Sequence, residues 1–399
     1  MKINMAVFFG CRSVEHEVSI ISAVQAMRAV DKEKYNVIPV YVAKNGTSYT
    51  GDRLFDIENY KNMESLLTTL HPVTLLREND RVVMRFLDNK LFKKNEDKNI
   101  DVCFPIVHGT NCEDGTLAGY FEYLGVPYIS CDIISAAVGM DKKVFKDVLA
   151  AHNLPVLDCI CFTAKEYRAK QKETLKKIKD EIGFPLIVKP VNLGSSVGIS
   201  KVNEENKLAE CIDLAVSFAD KVLVEKAVEN LREINCSVLG NTDECEASVL
   251  EEPVMSDDIL SFSDKYLKGG KKQGGEKQGM ASLSRKIPAD LDSDKTNEIK
   301  DLSKRIFKAL GCSGVVRIDY LMNDKTGEVF ANEINTIPGS LAFYLWRESG
   351  IEYKELIDRL VDTAFYRQRK RDNLTFVYES NILESANIGG ARAQKANSK

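Results

Sequence analysis

Between Gly311 and Gly339 the chain runs GCSGVVRIDYLMNDKTGEVFANEINTIPG. Val315 to Met322 and Glu328 to Ile334 read as two strands around a polar turn. Arg317-x-Asp319 and Glu333-x-Asn335 each have i, i+2 spacing, so both members of a pair face one side of their strand. If the strands are neighbours, a guanidinium, two carboxylates and an amide oxygen converge. Hard oxygen donors of this kind suit Mg2+, which is usually held by one or two carboxylates plus substrate phosphates. Two surface salt bridges would use the same residues. Val315, Val316, Ile318, Val329 and Ile334 make the strands apolar, however, and buried carboxylates need partners.

Working upstream, Lys189-Pro190-x3-Gly194-Ser195-Ser196-Val197-Gly198 joins two short strands. Glycines let backbone N–H groups approach an anion, and a lysine on the preceding strand adds positive charge. It is not the GxxxxGK[ST] pattern, because the lysine comes first and no helix follows. A plain hairpin loop is the alternative. Glu225-Lys226-Ala227-Val228 leaves an apolar strand, with Glu233 shortly after. Such an exit can pair its backbone with an adenine edge, and a carboxylate can accept from ribose hydroxyls. An ordinary interdomain linker fits the same letters.

The whole chain sets limits. Its 399 residues suggest two to four domains. The net charge is 55 − 59 = −4, which disfavours a nucleic-acid binder. No stretch approaches the ~20 apolar residues of a membrane span. The 10 cysteines include no CxxC, and the 4 histidines show no HExxH spacing. That points to reduced thiols in the cytoplasm and away from a zinc site. Lys2 to Phe9, a helix-period stretch from Val14 to Val30, and Val37 to Val42 open a parallel sheet. Residues 50–100 are charged and less regular. Val102 to Val107 and Val126 to Ile129 read as further strands, closing an α/β domain near residue 130. Met140 to Ala151 reads as one helix. Gly269 to Gly279 is a flexible glycine-rich run, 352–371 is an amphipathic closing helix, and 379–399 reads as a disordered tail.

The order of phosphate loop, hinge and metal strands resembles the ATP-grasp superfamily. Further motifs are similar to those of the D-alanine–D-alanine ligase family. They are Gly10-x2-Ser13-x-Glu15-x-Glu17-Val18-Ser19, His108-Gly109-x3-Glu113-Asp114-Gly115, Met140-Asp141-Lys142, Lys189 to Gly198, and Lys265-Tyr266. Gly311-x2-Gly314-x2-Arg317-Ile318-Asp319 and Asn332-Glu333-x-Asn335-Thr336-x-Pro338-Gly339 complete the set. The resemblance covers residues 3–370. It implies an α/β and α+β fold, a three-domain ATP-grasp architecture with an N-terminal parallel-sheet, Rossmann-like domain. The expected parts are 1–130, a central ATP-grasp subdomain 131–228, and a C-terminal subdomain 229–378 with a mobile lid at 262–282.

The resemblance also implies chemistry. ATP would phosphorylate the carboxylate of a first D-alanine, and the amine of a second would attack the acylphosphate. Lys142, Lys189 and Lys265 would meet the phosphates, under the backbone of Ser195, Ser196 and Val197. Glu225, Lys226 and Val228 would hold adenine, and Glu233 the ribose. Asp319, Glu333 and Asn335 would bind two Mg2+ (or Mn2+). Arg317 and the Gly339 N–H would stabilise the transferring phosphoryl group and the tetrahedral intermediate. Glu15 and His108 would hold the first substrate, with Ser195 and Tyr266 bonded to Glu15. Ser340 and Leu341 would anchor the second substrate, in a segment that reads as shortened relative to the family pattern. A homodimer is implied. Alternatives within and beyond this class are a D-alanine–D-serine (or other D-Ala–X) ligase and a nucleotide-binding regulator without turnover.

Overall fold

Strand β1 (Ile3–Gly10) alternates between two buried faces. Met5, Val7 and Phe9 join one core, while Ala6 and Phe8 join another. A strand apolar on both faces must be covered on both, as parallel strands usually are. Accordingly β1 pairs in parallel with β2 (Tyr35–Val42) and β7 (Val102–Ile106). Helix α1 (His16–Ala29) connects β1 to β2, and its Ile20, Ala23, Val24 and Met27 cover the Met5 face. The structure is a computed structural model and describes residues 2–88, 96–194, 197–253 and 285–377. The lid at 262–282 and the tail at 379–399 lie outside them.

The charged region 50–100 is more regular than its sequence suggests. It adds β3 (Ser48–Thr50), β4 (His71–Glu78), β5 (Arg81–Phe86) and β6 (Lys98–Ile100) in antiparallel fashion. The resulting seven-stranded sheet has the order β6-β5-β4-β3-β2-β1-β7. The expected strand at Val126–Ile129 is reduced to a single bridge between Cys103 and Tyr128. The expected helix 140–151 is present as Lys142–Ala151, and Met140 instead ends a preceding helix, Ile133–Met140. Asp141 separates them in extended backbone and caps the second, accepting from the N–H groups of Lys143 and Val144.

A second sheet contains β8 (Cys159–Thr163), β9 (Leu186–Pro190), β10 (Ser200–Val202) and β11 (Lys221–Lys226), in the order β10-β9-β11-β8. The third contains β12 (Leu231–Gly240), β13 (Cys245–Pro253), β14 (Arg285–Lys286), β15 (Gly314–Asn323) and β16 (Val329–Asn335), in the order β14-β13-β12-β15-β16. Only four residues separate β11 from β12, so the second and third sheets meet at that hinge. The closing helix Tyr353–Asp372 returns to the first sheet. Its Leu356, Ile357, Leu360 and Val361 share a core with β1 and α1. This helix thus ties the third sheet to the first.

Gly10 ends β1 at φ +91 and turns the chain toward α1. A Cβ there would stand 2.5 Å from the Val42 carbonyl oxygen. Gly10→Ala should therefore cost about 2 kcal/mol or more, from both the left-handed backbone and the clash. Chemical denaturation of the two proteins checks this.

Candidate active site

The site begins with the register of β15 and β16. Arg317 lies opposite Asn335, and Asp319 opposite Glu333. The expected convergence of these four residues is what the pairing produces. Between Asp319 and Tyr320 the register shifts, because Glu333 faces Asp319 while Ala331 faces Tyr320. Asn332 is the extra residue of this bulge. Asn332 and Glu333 consequently both line the same cavity instead of alternating.

Arg317 holds Asp319 with two parallel bonds, from Nε to Oδ1 at 2.6 Å and from Nη2 to Oδ2 at 2.7 Å. Asn335 Nδ2 adds a third bond to Asp319 Oδ2 at 3.1 Å. Burial opposes the charge on the Arg317 guanidinium, but Asp319 outweighs it and keeps the group well above its ordinary range. Among the described residues no three His, Cys, Asp or Glu side chains gather as a metal cluster. The donor set is instead two carboxylates and one amide. That chemistry fits Mg2+, which commonly takes the rest of its shell from water and phosphate oxygens.

The cavity measures about 600 Å3 and lies between the second and third sheets. Its charged lining includes Lys142, Lys189, Glu225, Lys226, Glu233, Asp319 and Glu333. Ile187, Ile199, Val228, Leu231 and Leu321 supply apolar wall. Lys142 sits at the start of its helix and reaches Glu333 Oε2 at 3.1 Å and the Leu193 carbonyl at 2.8 Å. Lys189 reaches Asn332 Oδ1 at 2.9 Å and Glu225 Oε1 at 2.6 Å. The backbone after β9 turns at Gly194, whose carbonyl accepts from the Val197 N–H. Ser195, Ser196, Lys265 and Tyr266 lie outside the described residues.

A second group of expected residues gathers nearby. Glu15 is 7% exposed at the start of α1. Its Oε2 would lie 2.9 Å from a Cβ on Gly109 and 3.4 Å from one on Gly194. Two glycines thus let the His108 strand end and the loop after β9 close on one carboxylate. His108 is buried, with Nδ1 2.9 Å from the Ile337 carbonyl and Nε2 2.9 Å from Ser22 Oγ. Burial holds its pKa below the ordinary histidine range despite the Glu15 charge. Arg317 is close enough for its charge to act on His108 as well, and so connects the two groups. Ser340 is 1% exposed and its hydroxyl donates to Gln25 Oε1 at 2.8 Å. The Leu341 side chain is packed in the core shared with β1 and α1.

Comparison with known proteins follows this geometry. A family model described as D-ala D-ala ligase N-terminus matches residues 4–131, and one described as D-ala D-ala ligase C-terminus matches residues 148–362. The chain belongs to the D-alanine–D-alanine ligase family. A curated relative from Thermosipho melanesiensis, named D-alanine--D-alanine ligase, is 39% identical over 96% of this chain and 98% of its own length. The D-alanine-D-alanine ligase structure from Coxiella burnetii superposes with a TM-score of 0.76 at 27% identity, covering 93% of this chain and 96% of that one. The VanG D-Ala:D-Ser ligase from Enterococcus faecalis gives 0.74 at 28% identity, covering 91% and 100%. The family is one of ATP-dependent ligases, so the expected fold class and enzyme class both stand.

Several residues of this ligase carry more of the site than their sequence context announces. Lys146 is buried and reaches Glu225 Oε2 at 2.9 Å, so Glu225 bridges two lysines. Burial alone would raise the Glu225 carboxyl, but Lys189 and Lys146 outweigh it and hold it below its usual range. Burial pulls Lys146 below the usual lysine range. Its one signal is the i, i+4 spacing from Lys142, which places both on one helix face. Arg285 pairs with Glu251 at 2.6 Å and lies 4.3 Å over the Tyr344 ring, whose hydroxyl donates to Glu251 Oε2 at 3.1 Å. The Glu251 charge acts on Arg317.

Glu113 follows His108 and Gly109 in the same motif. Its Oε2 accepts from the Gly109 N–H at 2.6 Å and its Oε1 from the Ile337 N–H at 3.0 Å. Burial, reinforced by the Glu15 charge, pushes its pKa up to about 8. The folded protein therefore holds a proton that the unfolded chain has released. That contribution is full below about pH 4.5 and is lost as pH rises through about 8. Melting temperature should fall between about pH 4.5 and 8, and Glu113→Gln should flatten that fall. Thermal unfolding of both proteins across this range is the check.

Proposed function

We propose that the protein joins two D-alanine molecules to D-alanyl-D-alanine, converting one ATP to ADP and phosphate, as a step toward peptidoglycan precursors. A bare carboxylate resists amine attack because the leaving group would be oxide. Transfer of the γ-phosphoryl group to a carboxylate oxygen supplies a good leaving group. The second amine, having lost its proton, then attacks the carbonyl carbon, and phosphate departs with that oxygen. Such a path depends on positioning, charge neutralisation and exclusion of water.

The observation that carries this reading is the Arg317–Asp319 and Asn335–Glu333 register at the edge of a cavity lined by Lys142 and Lys189. In it, Lys142, Lys189 and Lys265 meet the phosphates, beneath the backbone of Ser195, Ser196 and Val197. The apolar wall and the strand exit at Glu225, Lys226 and Val228 take adenine, with Glu233 on the ribose. The two carboxylates and Asn335 hold two Mg2+ (or Mn2+), which offset phosphate charge when bound. Glu15 takes the first ammonium with His108 beside it, and Tyr266 and Ser195 close over Glu15. Arg317 and the Gly339 N–H face charge that develops at the reacting carbonyl, and Ser340 and Leu341 form the second-substrate segment.

The division into 1–130, 131–228 and 229–378, with a lid at 262–282, is part of the same proposal. It draws support from the family-model bounds and from the three sheets. A cytoplasmic homodimer is included too. The 10 cysteines, all free thiols, suit a reducing compartment. Among the described residues no helix is long and apolar enough to cross a membrane.

A D-alanine–D-serine ligase is the second reading, favoured by the likeness to the VanG enzyme. Product analysis with D-alanine alone, then with D-serine or D-lactate added, separates the two. D-Alanyl-D-alanine from D-alanine alone is expected, and its absence refutes the leading reading. Glu333→Gln should lower turnover by at least about a thousandfold while the melting temperature stays near wild type. Near-normal turnover would remove Glu333 from the metal set.

A further inference from the structure

Ser340, Leu341 and Ala342 are consecutive non-glycine residues at φ 51, 55 and 51. L-residues enter this left-handed region singly and at a cost. A run of three persists only where the surroundings over-determine it. Below the turn, Leu341 and Ala342 are packed in the core. Above it, two residues of α1 supply the polar ties. The Ser340 N–H donates to Ser22 Oγ at 3.1 Å, and the Ser340 hydroxyl donates to Gln25 Oε1 at 2.8 Å.

The direction of the remaining bonds follows from chemistry. The Ile337 carbonyl only accepts, so His108 Nδ1 carries a hydrogen. Burial keeps the imidazole neutral, so Nε2 accepts, and the Ser22 hydroxyl is its donor. Ser22 therefore donates to His108 and accepts from Ser340. Ser22 thus fastens the segment 337–340, which contains Gly339, directly at Ser340 and through His108 at Ile337. Ser22 and Gln25 are three residues apart on one face of α1, the helix that begins after Glu15.

We propose that Ser22 and Gln25 are positioning residues for the second-substrate side of the reaction, acting by holding the left-handed turn 340–342 and the Gly339 backbone. The Ser340 hydroxyl serves the turn and does not touch substrate. Helix α1 then sets the spacing between the first-substrate carboxylate and the turn that receives the second. This rests on the roles given above to Glu15, Gly339 and the 340–341 segment.

The test compares Gln25→Met, Ser340→Ala, their double variant and Ser22→Ala with wild type. Steady-state kinetics resolve KM for ATP and for each D-alanine, and hydrogen exchange follows the 337–342 amides without substrate. Gln25→Met and Ser340→Ala should raise the second D-alanine KM by a similar factor, about five- to tenfold. The double variant should match either single one, because both remove one bond. KM for ATP and the first D-alanine should move less than about twofold. Ser22→Ala should speed exchange across 337–342. A large effect of Ser340→Ala with none from Gln25→Met would mean direct contact, and overturns the proposal. So would equal shifts in every KM with a lowered melting temperature, or unchanged exchange in Ser22→Ala. If wild type makes no dipeptide, the functional reading fails, while the exchange result still decides the positioning claim.

Discussion

Charge has to be balanced inside this protein before any nucleotide arrives. Lys146 and Lys189 are each about 2% exposed, and Glu225 between them is 1% exposed. An unpaired ion at such depth would cost several kcal/mol. The cluster solves this by sharing one carboxylate between two ammonium groups from different elements. Lys142 with Glu333, and Arg317 with Asp319, are balanced one to one. Counting Lys142, Lys146, Lys189 and Arg317 against Glu225, Glu333 and Asp319 gives 4 − 3 = +1. The site is thus satisfied internally and still carries a positive excess toward an anionic ligand. The helix at Lys142 joins the two sheets through these pairs, Lys142 reaching Glu333 of the third and Lys146 reaching Glu225 of the second.

The 337–340 segment is held by a different kind of contact. Neutral hydrogen bonds through Ser22, His108, Gln25 and Glu113 fasten the 337–340 segment to the first sheet and its helix. The core shared by β1, α1 and the closing helix makes the support rigid. Left-handed backbone at 340–342 is tolerated because packing and polar ties act on it from opposite sides.

Much of this was legible in the sequence where chemistry and periodicity coincide. The i, i+2 pairs on β15 and β16 predict a shared face, and strand pairing delivers it. Lys142, Lys189, Val228 and Glu233 enter one cavity, as motif order implies. Asn332 was not legible as a lining residue, because a bulge breaks the alternation that pattern reading assumes. Lys146 reads as one more surface lysine until tertiary packing buries it. The β4–β5 hairpin is masked by charges that face solvent, although Asn79-Asp80 marks its two-residue turn. The Ser340 hydroxyl looks like a substrate ligand in sequence, yet Gln25 takes it, and a contact 315 residues away leaves no local signal.

The central claim is that the first carboxylate is activated by phosphorylation within this pre-balanced site. It is tested most directly by supplying D-alanine with a heavy oxygen isotope in its carboxylate and analysing the products of a full turnover by mass spectrometry. Collapse of an acylphosphate leaves one carboxylate oxygen on the departing phosphate. The account predicts one labelled oxygen in each inorganic phosphate released with dipeptide. Unlabelled phosphate, formed in step with dipeptide, would contradict it.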